Sequence, residues 1–384
     1  MIKDIYILGN HIQGLGISRI AGRLGYDITL FNISSLSVAR FSNTCKKFVK
    51  FNNSDHLLEL LRKRNIENKT ALLIPTNDYM VGFLSDNYDL LDNKYYISIA
   101  PKEITDIAYN KRKTYQTASE ANIPIPKSYY PDSFYDLENL CKEIEFPVII
   151  KPAKMYDFLK KSGKKVFLCL NKTELINGYH RAIGIIPQDE IIVQELLNGG
   201  AKKLYSYASY AKDGEPYGSF VVNRIRQKPM DFGVATTFAV TVINERVETL
   251  ALEFLKEINY TGLSEVEFMY DDRVKDYKLI EINPRTWKWH SMANIVDINL
   301  IEMLIKDIQG KVIEKKRNTI ENLGWIEQLT DFFIMFTEVV MGRMKLKDYV
   351  KSLQIKKEYA TFDWKDPLPA IMYIILSPYL YFTR

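Results

Sequence analysis

Two short acidic strands with a polar turn between them constrain this chain more than any other feature. The segments SEVEFMY (264–270) and YKLIEIN (277–283) each alternate in polarity, and a period of two is the signature of a strand with two different faces. Glu265 and Glu267 share one face of the first segment. In the second, Leu279, Glu281 and Asn283 share a face, with Ile280 and Ile282 on the other. DDRVKD reads as a hairpin loop, and centring it near Val274 sets Glu267 opposite Glu281 and Glu265 opposite Asn283. Like charges facing each other across a ladder are unfavourable. A hard divalent cation between them resolves the conflict, with the Asn283 amide oxygen as a further ligand, and oxygen donors of this kind point to phosphate-bearing Mg²⁺. The competing reading is a pair of acids on a solvated face. Pro284, which stops the strand, and Arg285, a permanent cation at its end, favour the metal.

These residues resemble the ATP-grasp superfamily, and within it the carboxylate–amine ligases of the D-aspartate ligase and carboligase type. The resemblance implies that Glu267, Glu281 and Asn283 hold two Mg²⁺ ions, for which Mn²⁺ can substitute, and that Arg285 steadies an acyl phosphate. Other segments resemble the same family. FPVIIKPA (146–153) is a buried strand that delivers Lys151 to nucleotide phosphates, and NKRKTYQTASEANIPIP (110–126) is a helix capped by Asn110 that carries Lys111 in a nucleotide-contacting position. A strand-end lysine turned to solvent is the alternative for Lys151. IIVQELLNGG (191–200) looks like the hinge that reads adenine through its backbone, around Gln194, Glu195 and Leu197. Relatives place an acid for the ribose just beyond; here Ala201, Lys202 and Lys203 stand there, so ribose recognition is unassigned. The loop around Ser162 to Lys165 reads as a lid whose Lys165 folds over the triphosphate. NRIRQKPMDFGVATTF (223–238) resembles a segment on the acyl-acceptor side, with Arg226 as the anion contact and an exposed arginine without a task as the alternative.

The opening IYILGNHIQGLGISRIAGRLGYDITLF is a strand, a glycine-bearing turn, a helix and a strand. A dinucleotide site is the tempting reading, and two facts argue against it: the spacing is not G-x-G-x-x-G, and Asn32 and Ser34 stand where an acid would follow the second strand. The resemblance implies instead a Rossmann-like domain that helps bind the second substrate. His11, Gln13 and Thr76 to Asp78 sit at the carboxyl edge of apolar strands, where open α/β sheets bind ligands.

The chain of 384 residues, 47% hydrophobic, can bury a core over two or three domains. The expected class is α/β, an ATP-grasp fold: a Rossmann-like pre-ATP-grasp domain over 1–108, ATP-grasp lobes over 109–310 and a C-terminal helical extension over 311–384. Cys45, Cys141 and Cys169 are too scattered for zinc or a disulfide framework and imply a reducing cytoplasm. None of the four histidines lies in a catalytic motif, and His290 reads as a pocket or packing residue. A net charge of +5 is too mild to imply nucleic acid. MIKDIYILGN reads as a core strand, not a signal peptide.

Apolar residues recur at helical spacing over Trp325 to Met344, namely Trp325, Leu329, Phe332, Phe333, Phe336 and Val340, followed by a basic segment. The apolar stretch of PLPAIMYIILSPYLYFTR is shorter than the roughly 20 residues that span a bilayer. Packing against the body is the first expectation for it, and association with a membrane surface the second. The function expected is an ATP-dependent ligase joining a small carboxylate, activated as an acyl phosphate, to an amine, with an amino acid and a cell-envelope precursor as the leading pair. An ATP-grasp carboxylase, a nucleotide-biosynthesis ligase and a nucleotide-binding protein without turnover are the alternatives.

Overall fold

The computed structural model describes residues 2–64, 69–230, 233 and 235–382. The strand–helix–strand opening builds a five-stranded parallel sheet. Asp4–Leu8 lies at its centre, flanked by Asp27–Asn32 and Ala71–Pro75, with Cys45–Lys50 and Tyr96–Ile97 at the edges. Gly9 follows the central strand at φ +100°, where a Cβ would stand 2.1 Å from Thr76 Oγ1. Only glycine meets both demands, and the chain passes directly into the helix His11–Arg23.

A four-stranded antiparallel sheet comes next, in the order Ser128–Tyr129, Ile191–Glu195, Val148–Pro152 and Phe167–Cys169. Val148–Pro152 is buried along its whole length, Lys151 included. The sheet and its helices enclose a core of their own, built from Leu137, Val148, Ile150, Phe158, Leu175 and Val193 among others. Before this lobe, Asn110 accepts from Arg112 N and Lys113 N and so starts the helix Lys111–Glu120. Asn122, at φ +59°, follows its end.

The largest sheet has eight strands and runs Asp276–Asn283, Gly262–Asp271, Leu204–Lys212, Glu215–Lys228, Ala235–Val242, Gly324–Ile326 and Lys357–Tyr359, with Lys316–Arg317 paired to Glu215–Lys228. One core cluster joins it to the parallel sheet: Ile5, Leu15 and Ile74 belong to the same packed group as Phe220, Trp289, Trp325 and Tyr373.

The region after the large sheet departs from its helical pattern. Trp325 lies in a strand, fully buried, and donates from Nε1 to Ser291 Oγ at 3.0 Å. The helix begins only at Gln328 and ends at Val340. It buries Asp331, Met335 and Glu338 and turns Phe332, Phe333, Phe336 and Val340 outward. The helix Leu368–Phe382 docks on the body through Tyr373 and Leu376, while Ile371, Ile374 and Ile375 are exposed.

Candidate active site

The hairpin forms in the register that alternation predicts. Gly262–Asp271 and Asp276–Asn283 pair antiparallel with Glu267 opposite Glu281 and Glu265 opposite Asn283. One detail differs. The register shifts between Glu267 and Phe268, because Phe268 faces Leu279 and Ile280 is left as an extra residue. Such a bulge turns the strand locally. Leu279 and Ile282 therefore enter the same core, while consecutive Ile280 and Glu281 both line the cleft. The expected grouping of Leu279 with Glu281 on one face fails for that reason.

The facing acids are held by cations of the chain. Lys111 Nζ lies 2.8 Å from Glu281 Oε2, and Arg224 Nη2 lies 2.8 Å from Glu267 Oε1. Burial pushes the Glu281 carboxyl up, but Lys111, then Lys165 and Lys151, outweigh it and hold the group well below the usual carboxylate range. Burial works against the charge on Lys111 too, and Glu281 more than restores it, raising the ammonium pKa. Asn283 Nδ2 donates to Glu265 and Glu267 at 3.2 Å each, and its Oδ1 accepts from Arg285 at 2.9 Å.

On one side of this wall lies a cleft of about 280 Å³. The helix Lys111–Glu120 supplies Lys111, the strand Val148–Pro152 supplies Lys151, and Lys165 reaches in from the loop after the helix Met155–Ser162, donating to Gly233 O at 3.3 Å. Lys151 is buried, hydrogen-bonded to Tyr115 Oη and 4.7 Å from that ring's centre. Tyr115 Oη in turn donates to Ile280 O at 2.6 Å, tying the lysine to the bulge. Burial, then Lys111, push the Lys151 pKa well below the usual lysine value. The far end of the cleft is apolar, with Ile149, Leu204, Met269 and Ile280, and is bordered by the segment from Gln194 to Gly200. Within that segment, Glu195 N donates to Lys127 O and Leu196 N to Pro147 O. Those two N–H groups are already used inside the lobe, so of the backbone donors expected to read a base, Glu195 N and Leu196 N are engaged elsewhere. The Glu195 carboxylate is likewise engaged, 2.6 Å from Lys278 Nζ and 2.8 Å from Arg273 Nη2.

On the other side of the wall is a second chamber. Lys111, Lys165, Arg224, Glu267 and Glu281 line both, and Gln13, Asp78, Glu265, Asn283, Arg285, Trp287 and Trp289 line the second alone. Arg285 stands at the junction of two sheets, donating from Nε to Asp78 Oδ1 at 2.6 Å. Of the triad Thr76 to Asp78, Thr76 bonds back to Leu8 O, Asn77 caps the helix Asp78–Asp86, and Asp78 alone lines the chamber. Glu265 accepts from Trp289 Nε1 at 3.1 Å; burial and the neighbouring Glu267 push its carboxyl up to about 8.

Arg226 is a correction. Its guanidinium is buried away from both chambers, donating to Asp331 twice at 2.8 Å and to Ser352 Oγ at 2.9 Å, with Phe238 and Tyr349 against it. Arg224 lines the site in its place. The register is irregular between Arg224 and Arg226, which face Ala239 and Phe238, and the extra residue turns the second arginine away. Arg224 was not singled out from the sequence. Asp231, Phe232 and Val234, inside the expected acceptor segment, lie outside the described residues. His290 is buried against Gly16, and burial holds its imidazole down to about 4. That makes it a packing residue. Lys203, after the hinge, pairs with Asp272.

Among the described residues no three His, Cys, Asp or Glu side chains converge as a metal cage. Two opposed carboxylates and an amide oxygen suit a cation that takes its remaining ligands from phosphates and water, which is how Mg²⁺ is commonly held. In this structure Lys111 and Arg224 compensate those acids and the Asn283 oxygen accepts from Arg285; the fit to the ion rests on the two opposed carboxylates.

Residues 226–316 match the family described as carbamoyl-phosphate synthase L chain, ATP binding domain. The D-aspartate ligase of Enterococcus faecium (strain Aus0004) is 24% identical over 262 residues, 65% of this chain and 62% of that enzyme, so the chain spans less than two thirds of that relative. The D-alanine–D-alanine ligase of Fusobacterium nucleatum subsp. nucleatum is 30% identical over 214 residues, 47% of this chain and 69% of that enzyme. The solved biotin carboxylase domain of the Hydrogenobacter thermophilus 2-oxoglutarate carboxylase, in complex with MgADP and bicarbonate, matches with a TM-score of 0.66 at 14% identity, over 84% of this chain and 72% of that chain. At that identity the likeness is one of fold. Two lobes, a shared wall of acids and cations, and these relatives lead to one placement: the chain belongs to the ATP-grasp superfamily.

Proposed function

We propose that the protein is an ATP-dependent ligase that joins a small carboxylate to an amine through an acyl phosphate, with an amino acid as one of the two substrates. The observation that carries this reading is the shared wall. Lys111, Lys165, Arg224, Glu267 and Glu281 border both chambers, so a phosphoryl group bound in the first lies within reach of an acceptor in the second.

Adenine belongs in the apolar end among Ile149, Leu204, Met269 and Ile280, beside Leu197. Lys151 and Lys111 hold the phosphates, and Lys165 closes over them. Glu267, Glu281 and Asn283 are the residues that would hold Mg²⁺, which supplies charge neutralisation for the phosphate oxygens. Arg285, aimed into the second chamber and fixed by Asp78, orients the substrate carboxylate. A carboxylate oxygen bonds to the γ-phosphorus as the bond to ADP breaks. The amine nitrogen then bonds to the acyl carbon, loses a proton, and phosphate leaves. Positioning and fixed charge carry the acceleration; no side chain forms a covalent bond.

The test is ADP release screened against pools of amino acids and amines, bicarbonate included, followed by ¹⁸O in the carboxylate of the stimulating substrate. Label in the released phosphate is expected. Label in AMP would refute the acyl phosphate, and stimulation by bicarbonate without an amino acid would make the protein a carboxylase.

A further inference from the structure

The helix Gln328–Val340 has its polarity reversed. Asp331 is fully buried, bound to Arg226 and Thr237, and Glu338 is buried against Arg343. Phe332, Phe333 and Phe336 are 52%, 58% and 59% exposed, with Val340 and Met341 beyond them. A helix folded by the hydrophobic effect of its own chain turns phenylalanine in and carboxylate out. Here the ion pairs fix the inner face, and the outer face is left for something apolar.

Two neighbours extend that face. The helix Leu368–Phe382 presents Ile371, Ile374 and Ile375, each more than half exposed. A groove of about 360 Å³ runs between the two helices, with Leu329, Phe333 and Ile334 on one bank and Tyr373 and Leu380 on the other. The helix Leu346–Ser352 packs by Tyr349 and exposes Leu346 and Val350 between the exposed Lys345, Lys347 and Lys351. Exposed apolar side chains gathered on neighbouring helices mark an interaction site, and the chemistry around them selects the partner. Protein interfaces are depleted in lysine. Exposed phenylalanine and isoleucine beside a short helix that sets Leu346 and Val350 among three lysines and one acid, Asp348, are what an anionic lipid surface takes up, aromatic and aliphatic groups at the acyl boundary and ammonium groups at the phosphates. No helix of the described residues is long and apolar enough to cross a membrane.

We propose that the helices Gln328–Val340, Leu346–Ser352 and Leu368–Phe382 form a docking face that lays the enzyme on an anionic bilayer. The full chain is sedimented with vesicles of phosphatidylcholine alone and of phosphatidylcholine mixed with phosphatidylglycerol, at low and high salt. Association with the anionic vesicles is expected, weakening as salt rises. Phe333→Ser with Phe336→Ser should cut the partition at least about tenfold, and Lys345→Glu, Lys347→Glu and Lys351→Glu together should remove the preference for anionic lipid. Both variants alter exposed positions, so their melting temperatures should match that of the parent; equal melting with unchanged partition overturns the proposal. So does a wild-type chain that ignores anionic vesicles. If the phenylalanine variant instead dissociates a dimer that binds no vesicles, the face joins two copies and the lipid assignment is wrong.

Discussion

Glu281 keeps its charge in a buried site because Lys111 stands 2.8 Å away. Glu281→Gln preserves shape and removes that charge, and we expect turnover, read as ADP release, to fall by at least about two orders of magnitude; a loss below about tenfold would remove Glu281 from the machinery. The acid pair was legible in the sequence because a hairpin is a local structure whose register follows from alternation and loop length. Arg224 and Arg226 were not separable, since an extra residue between two arginines leaves no mark in the alternation itself. His290 gives a second prediction. Its folded pKa of about 4 lies below the value of about 6.5 for an unfolded histidine. Between the two, the unfolded chain binds a proton that the folded chain refuses, so stability is complete above the unfolded value and declines as pH falls toward the folded one. The loss at pH 5 is about 2 kcal/mol. Urea unfolding at several pH values checks it: in His290→Gln, the stability slope across that window should be shallower than in the parent.

At the scale of the element, the helix Gln328–Val340 depends on one buried ion pair more than on its apolar residues. Asp331→Ala leaves the Arg226 guanidinium buried and uncompensated, which costs about 3–5 kcal/mol. Replacing both, Arg226→Met with Asp331→Leu, should recover most of that loss, because two apolar groups need no counter-charge. Denaturant midpoints of the two variants decide it, and a harmless Asp331→Ala would contradict the role given to the pair. Periodicity located this helix but not its orientation: it reports which residues share a face and is silent on which face turns inward. The pattern also ran too far, taking in Trp325, whose burial in a strand is set by Ser291 and Ala239 across the sheet. The bulge at Ile280 escaped notice for a related reason. A strand of alternating residues looks the same with or without one residue too many, and only the partner strand reveals the shift.

The whole molecule holds together through a seam that no local pattern announces. Gly16, on the helix His11–Arg23, lets that helix meet His290: a Cβ there would stand 2.6 Å from Nε2 of a ring anchored through Nδ1 to Trp287 O. Gly16→Ala should therefore cost about 1–3 kcal/mol, whereas Gly14→Ala, whose Cβ would meet its neighbours no closer than 3.6 Å, should be neutral or stabilising by up to about 1 kcal/mol. Equal urea midpoints for the two variants would show that the seam yields. The order of strands and helices could be read from the chain because each is written in consecutive residues, but contacts such as Arg19 to Asp366, at 2.9 Å, join positions with no shared pattern. The seam has a consequence for recombination. The parallel sheet shares its core with residues as distant as Tyr373, so a chimera that takes its opening sheet from a relative arrives with the wrong mating surface. The segment from Ser128 to Glu195 carries its own core, so gene exchange among such ligases has a natural cassette there, and crossovers placed at its two ends should yield folded hybrids where crossovers after the parallel sheet do not.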